Sequence, residues 1–127
     1  MDGIETAFSI FDVAADDDTT VVSVAGEVDM ETGRAFQQGL LRAIGAGRGG
    51  LVVDLSRATF LDSTALTSLV NAFDDLRSRG GGRLAIVATD PRMRALFDVA
   101  RLERDFDIFE SRAEALAPFE AEARERA

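Results

Sequence analysis

Asp62-Ser63-Thr64 stands between the apolar pair Phe60-Leu61 and the opening of an amphipathic stretch at Ala65-Leu66. A hydroxyl at the point where a strand gives way to a helix is a place for a phosphate, because free amides and the helix macrodipole accommodate an anion there. The same residue types cap helices by accepting hydrogen bonds from unpaired amides, so on the local pattern alone capping is a sufficient account. Asp29, ahead of a second amphipathic stretch, is likewise sufficiently explained as a cap. Both readings stand until the context of these residues is considered.

Other chemistries are excluded by composition. The 127 residues include no Cys and no His, which removes disulfides, Cys/His zinc sites, thiol nucleophiles and histidine-based triads. All 14 basic residues are Arg, so no lysine is present for a Walker motif or a Schiff base. No carboxylate pair belongs to a recognisable catalytic motif, and the expectation is a protein that is not an enzyme. Asp16-Asp17-Asp18 lacks the spacing and terminal Glu of a calcium loop and reads as a solvated turn. Gly45, Gly47, Gly49 and Gly50 precede a strand, whereas a phosphate loop joins a strand to a helix; they read as a plain connection. No metal or cofactor is expected. A net charge of -9 disfavours nucleic acid and leaves proteins or small ligands as partners. No stretch approaches the roughly 18 apolar residues of a membrane span, and the start Met1-Asp2-Gly3-Ile4-Glu5 lacks a secretion signal, so a cytoplasmic protein without membrane insertion is expected.

The elements that must position the hydroxyls follow from periodicity. Phe8, Ile10, Phe11 and Val13, then Thr20 to Val24, read as a hairpin. Phe36, Leu40, Ala43 and Ile44 share one face of a helix over about 30–45, with Asp29 as its N-cap and Glu31 favouring the same dipole end. Leu51 to Leu55 has no polar alternation over its first three residues, as in a strand covered on both faces. After Ser56-Arg57-Ala58-Thr59, a helix from about Ser63 carries Leu66, Leu69, Val70, Phe73 and Leu76 as its core stripe and ends at Gly80-Gly81-Gly82. Leu84 to Ala88 is another buried strand. Asp90-Pro91 opens a short helix whose apolar face is Met93, Leu96, Phe97 and Ala100. Asp107-Ile108-Phe109 is the last strand, and Ser111-Arg112-Ala113-Glu114 is a capping box for a helix that Pro118 should kink or end, with a frayed tail over 119–127. The fold class is α/β: one domain over 1–127 with its core at about 6–118, an antiparallel hairpin followed by parallel β-α units.

This order, with Gly26-Glu27-Val28-Asp29, Asp54-Leu55-Ser56, Phe60-Leu61-Asp62-Ser63-Thr64-Ala65-Leu66 and Leu96-Phe97, resembles the STAS domain, specifically bacterial anti-sigma factor antagonists, over nearly the whole chain. The resemblance implies a right-handed superhelix of β-α units with about five strands and four helices. It also implies partner switching. The unmodified protein binds an anti-sigma factor with serine kinase activity and frees a sigma factor; phosphorylation ends the complex, and a phosphoserine phosphatase resets the switch. The family's phosphoacceptor, the serine directly after the Asp of the block, falls on Ser63, with Thr64 beside it, and the helix start at Asp29 is placed next to Ser63 on the partner-facing edge. Asp29, Asp62, Ser63, Thr64 and Ala65 are therefore the expected partner-binding residues. The family commonly has Gly where this chain has Ala65, which favours the helix, suits a negative backbone φ and bears on how closely a partner approaches. An alternative implied role is a constitutive STAS subunit, in a stress-signalling assembly or a lipid-transport ATPase complex, that needs no modification.

Overall fold

A computed structural model of the chain describes residues 8–15, 18–46, 49–80, 82–102 and 106–126. Met1 to Glu5, Asp16 and Asp17 of the acidic turn, Gly47 and Gly81 lie outside them. The elements run β1 (Ser9–Ala14), β2 (Thr19–Val28), α1 (Gly33–Gly45), β3 (Gly50–Leu61), α2 (Ser63–Ser78), β4 (Arg83–Val87), α3 (Pro91–Val99), β5 (Asp107–Phe109) and α4 (Arg112–Arg126). The five strands form one sheet in sequence order; β1 and β2 are antiparallel and every later pair is parallel. This is the α/β order that periodicity predicts.

Alternation along the strands divides the core in two. Val22, Val24, Val53, Leu55 and Ile86 pack with Phe36, Leu40, Leu69, Met93 and Phe97 of α1 to α3. Val21, Val52, Ala85 and Val87 pack with Ala115 and Phe119 of α4. Helices on both faces explain the near-continuous burial of β2 and of Leu51 to Leu55.

Several elements differ from their sequence expectation. β3 continues through Ser56 to Thr59 and reaches Leu61, because after register shifts in β2 its second half goes on pairing with Ala25 to Val28. Gly26 sits in the shifted segment at φ 90°, a conformation that favours glycine at a bulge. Of β3, only Gly50 to Asp54 pair with β4, so β3 overhangs it and carries Phe60 and Leu61 to the end of the sheet. The regular part of α1 starts at Gly33 rather than near 30.

The buried face of α2 is Ala65, Ser68, Leu69, Ala72 and Leu76; Leu66, Val70 and Phe73 are only partly buried. Small residues belong on that face because α2 packs against α1, where Ser68 donates to Gln37 at 3.1 Å. On α3, Met93 and Phe97 are buried, whereas Leu96 and Ala100 are exposed. α4 does not end at Pro118 but runs on to Arg126, since Phe119 is buried and Arg83 holds Glu122.

Candidate functional site

The site is assembled where two neighbouring parallel strands end. Val28 and Leu61 are register partners at the ends of β2 and β3, and the Asp62 amide donates to the Val28 carbonyl at 3.2 Å. Asp29 and Asp62 therefore leave the sheet side by side, each leading into a helix.

The Asp29 carboxylate accepts from the amides of Glu31 (2.9 Å) and Thr32 (3.1 Å). The Asp29 amide in turn donates to the Thr32 hydroxyl at 2.9 Å, and that hydroxyl donates to the Glu27 carbonyl at 2.8 Å. This reciprocal bonding closes a turn ahead of α1, so Asp29 caps as expected but one turn before the regular helix. The Thr32 amide, offset by partial burial and aided by the Glu31 amide, holds the Asp29 carboxyl below its ordinary value. Thr32 has a part that sequence reading did not assign; its position three residues after Asp29 was the available signal.

Asp62 is the N-cap of α2, and its carboxylate accepts from the Ala65 amide at 3.1 Å. Ser63 occupies the first helical position, exposed, and its hydroxyl makes no hydrogen bond to a described residue. The capping work falls to Asp62, and the neighbouring hydroxyl has no structural bond to lose. Thr64 is exposed as well and stands against α1, where a Cβ placed on Gly33 would lie 3.0 Å from its methyl.

Ala65, expected on the partner-facing surface, is 0% exposed and belongs to the main core. Its position in the first turn points it inward, along the line later occupied by Leu69, Ala72 and Leu76. It has no positive φ, so the alanine is accommodated without backbone strain. Of the five expected residues, the fold brings Asp29, Asp62, Ser63 and Thr64 to one end of the sheet and withdraws the side chain of Ala65.

Two grooves are lined by near neighbours of Ser63 in the chain, Thr64 in one and Leu61 in the other. One, of about 400 Å³, lies between α1 and α2 and is lined by Gly33, Arg34, Gln37, Gln38, Thr64 and Ser68, among others. The other, of about 260 Å³, lies between the β3 overhang and α3, with Phe60, Leu61, Met93 and Leu96 as its apolar part and Asp90 and Arg92 beside them. Phe60 is 49% exposed and Leu96 38%. Among the described residues there is no cluster of acidic, His or Cys side chains able to hold a metal, and no helix is long and apolar enough to cross a membrane.

Similar solved structures include an anti-sigma factor antagonist from Mycobacterium paratuberculosis, 28% identical, covering 90% of this chain and 93% of that one at a TM-score of 0.76. The Bacillus cell fate determinant SpoIIAA in its phosphorylated form is 21% identical, covering 89% and 99% at a TM-score of 0.67. The anti-sigma factor antagonist SpoIIAA in its unphosphorylated form is likewise 21% identical, covering 95% and 99% at a TM-score of 0.65. At that identity the last two establish the fold alone. The model of the STAS domain matches residues 11–115, from β1 into α4 and across the whole site. The chain therefore belongs to the STAS domain family.

Proposed function

We propose that the protein is an anti-sigma factor antagonist of the cytoplasm, controlled by phosphorylation of Ser63. In its unmodified form it binds a cognate anti-sigma factor with serine kinase activity and so frees a sigma factor; a phosphoserine phosphatase restores that form. The general role is supported by the likeness to the anti-sigma factor antagonist from Mycobacterium paratuberculosis, which covers 90% of this chain. The observation that carries the phosphate reading is the exposed Ser63 hydroxyl, unbonded at the first position of α2 while Asp62 does the capping.

A phosphate there adds about 1.5 to 2 negative charges at a helix start, where first-turn amides lack acceptors within the helix and the dipole favours an anion. The domain keeps its fold. A partner surface complementary to a neutral hydroxyl beside Asp62 then meets two adjacent anions, and every 1.4 kcal/mol or so of that penalty is a tenfold loss of affinity. Binding and release require no catalytic group of this chain, since the kinase supplies nucleotide, metal and base.

The test is phosphorylation by the cognate kinase with ATP: one phosphate on the parent, none on Ser63→Ala. Equal labelling of the two proteins would remove Ser63 as acceptor. In calorimetry, Ser63→Asp should weaken the complex at least about tenfold while its melting temperature stays near that of the parent. Equal affinity would remove the electrostatic argument, and a protein that never accepts phosphate yet remains bound in a larger assembly would point to a constitutive STAS subunit.

A further inference from the structure

Three large apolar side chains are exposed at the Ser63 end of the sheet: Met30, just beyond β2, at 84%, with Phe60 and Leu96 facing the same groove. Scattered apolar residues are ordinary on a protein surface, but a cluster beside a functional residue marks an interaction site. Phe60 is exposed although its neighbour Leu61 and that residue's register partner Val28 are buried. The groove holds about 260 Å³, below the roughly 300–1,000 Å³ of small-molecule sites, so it suits a side chain rather than a cofactor.

Its surroundings say what kind of partner brings that side chain. Glu27, the cross-strand partner of Phe60, is exposed; Asp29, Glu31 and Asp62 follow at the ends of the same two strands. On the α3 side Arg92 is already paired with Asp90 at 3.0 Å, and among the described residues no Arg forms an ion pair with Glu27, Asp29, Glu31 or Asp62. The chain as a whole carries -9.

We propose that the groove between Phe60 and Leu96 anchors an apolar side chain of the anti-sigma factor, presented by a segment whose Arg or Lys residues face Glu27, Asp29 and Asp62. This rests on the proposed function and adds to it a division of labour. The Ser63 hydroxyl decides whether the complex forms, and the groove decides with which partner. Burying one large side chain in such an anchor is a common source of interface hot spots, whereas the charged rim sets association rate and salt dependence.

The experiment is titration of the full chain with its cognate anti-sigma factor. Leu96→Ala and Phe60→Ala are expected to weaken binding about tenfold each, with melting temperatures close to the parent. Val99→Ala, at a more exposed apolar site on α3 outside the groove, should leave affinity unchanged. Added salt should weaken the parent complex, and Glu27→Gln should reduce that dependence. If the parent binds and both groove variants bind as tightly, the anchor is overturned while the proposed function stands. If the parent does not bind, both fall. A dimer of the free protein that Leu96→Ala dissociates would also overturn it, in favour of a second copy as occupant.

Discussion

Asp62 and Ser63 share the start of α2, and only one of them holds it. The Asp62 carboxylate takes the Ala65 amide, so its loss removes a cap and should destabilise the fold by about 1 kcal/mol. Asp62→Ala should lower the melting temperature by roughly 3–5 °C, whereas Asp62→Asn, which retains an accepting oxygen, should lower it far less. Identical melting of the two variants would show that the cap contributes nothing. This much was legible locally, because a short acid ahead of an apolar helical pattern has few other uses. Ala65 was not. Whether a residue in the first turn faces a partner or the core depends on where α1 and the sheet lie, and a single alanine carries no sign of that.

At the scale of elements, Pro118 sets a local rule against a tertiary one. A proline inside a helix removes one backbone bond and clashes with the preceding turn, costing about 3 kcal/mol or more, and on that ground the helix was expected to kink or end. Burying Phe119 contributes about 1.5–3 kcal/mol, the Arg83 guanidinium stacks 5.8 Å from its ring, and Arg83 also binds Glu122. Together these offset the break. Phe119→Ala should cost about 3–5 kcal/mol and speed amide exchange over 119–126 first. Unchanged exchange there would mean that α4 beyond Pro118 is held by something other than Phe119. The longer β3 has a similar origin: Ser56 to Thr59 look like a connection in sequence, but β2 extends far enough to pair with Arg57, Ala58, Phe60 and Leu61, and that extension delivers Phe60 and Asp62 to the site.

Across the whole molecule, Asp54 ties the centre of the sheet to the start of α4. Its carboxylate, in a residue only 6% exposed, accepts from Arg112 at 2.8 and 3.0 Å and from the Ser56 amide at 2.9 Å. Burial pushes the Asp54 carboxyl up, but the Ser56 hydroxyl and amide and the Arg112 guanidinium outweigh it and hold the group below its ordinary value. A depressed folded value means that this stabilisation is present above the unfolded value near 4 and is lost as pH falls through the folded one. The parent should therefore lose stability in acid below about pH 4. Asp54→Asn should be less stable at pH 7 by about 1–3 kcal/mol and should show a shallower acid slope. Equal slopes would assign the acid sensitivity elsewhere, Asp29 and Asp90 being shifted in the same direction.

The amino-acid sequence by itself determined the order of strands and helices and the caps at Asp29 and Asp90, because periodicity, capping and turn chemistry act within a few residues, while Ser63 as the candidate hydroxyl came from the family resemblance. The tertiary structure decided which side chains those elements turn outward. It buried Ala65, exposed Leu96, carried α4 past Pro118, and set Asp29 beside Asp62 through the Val28 and Leu61 register. The physical reason is the same in each case. Burial and cross-strand pairing are interactions between segments far apart in the chain, and local residue pattern contains no term for them.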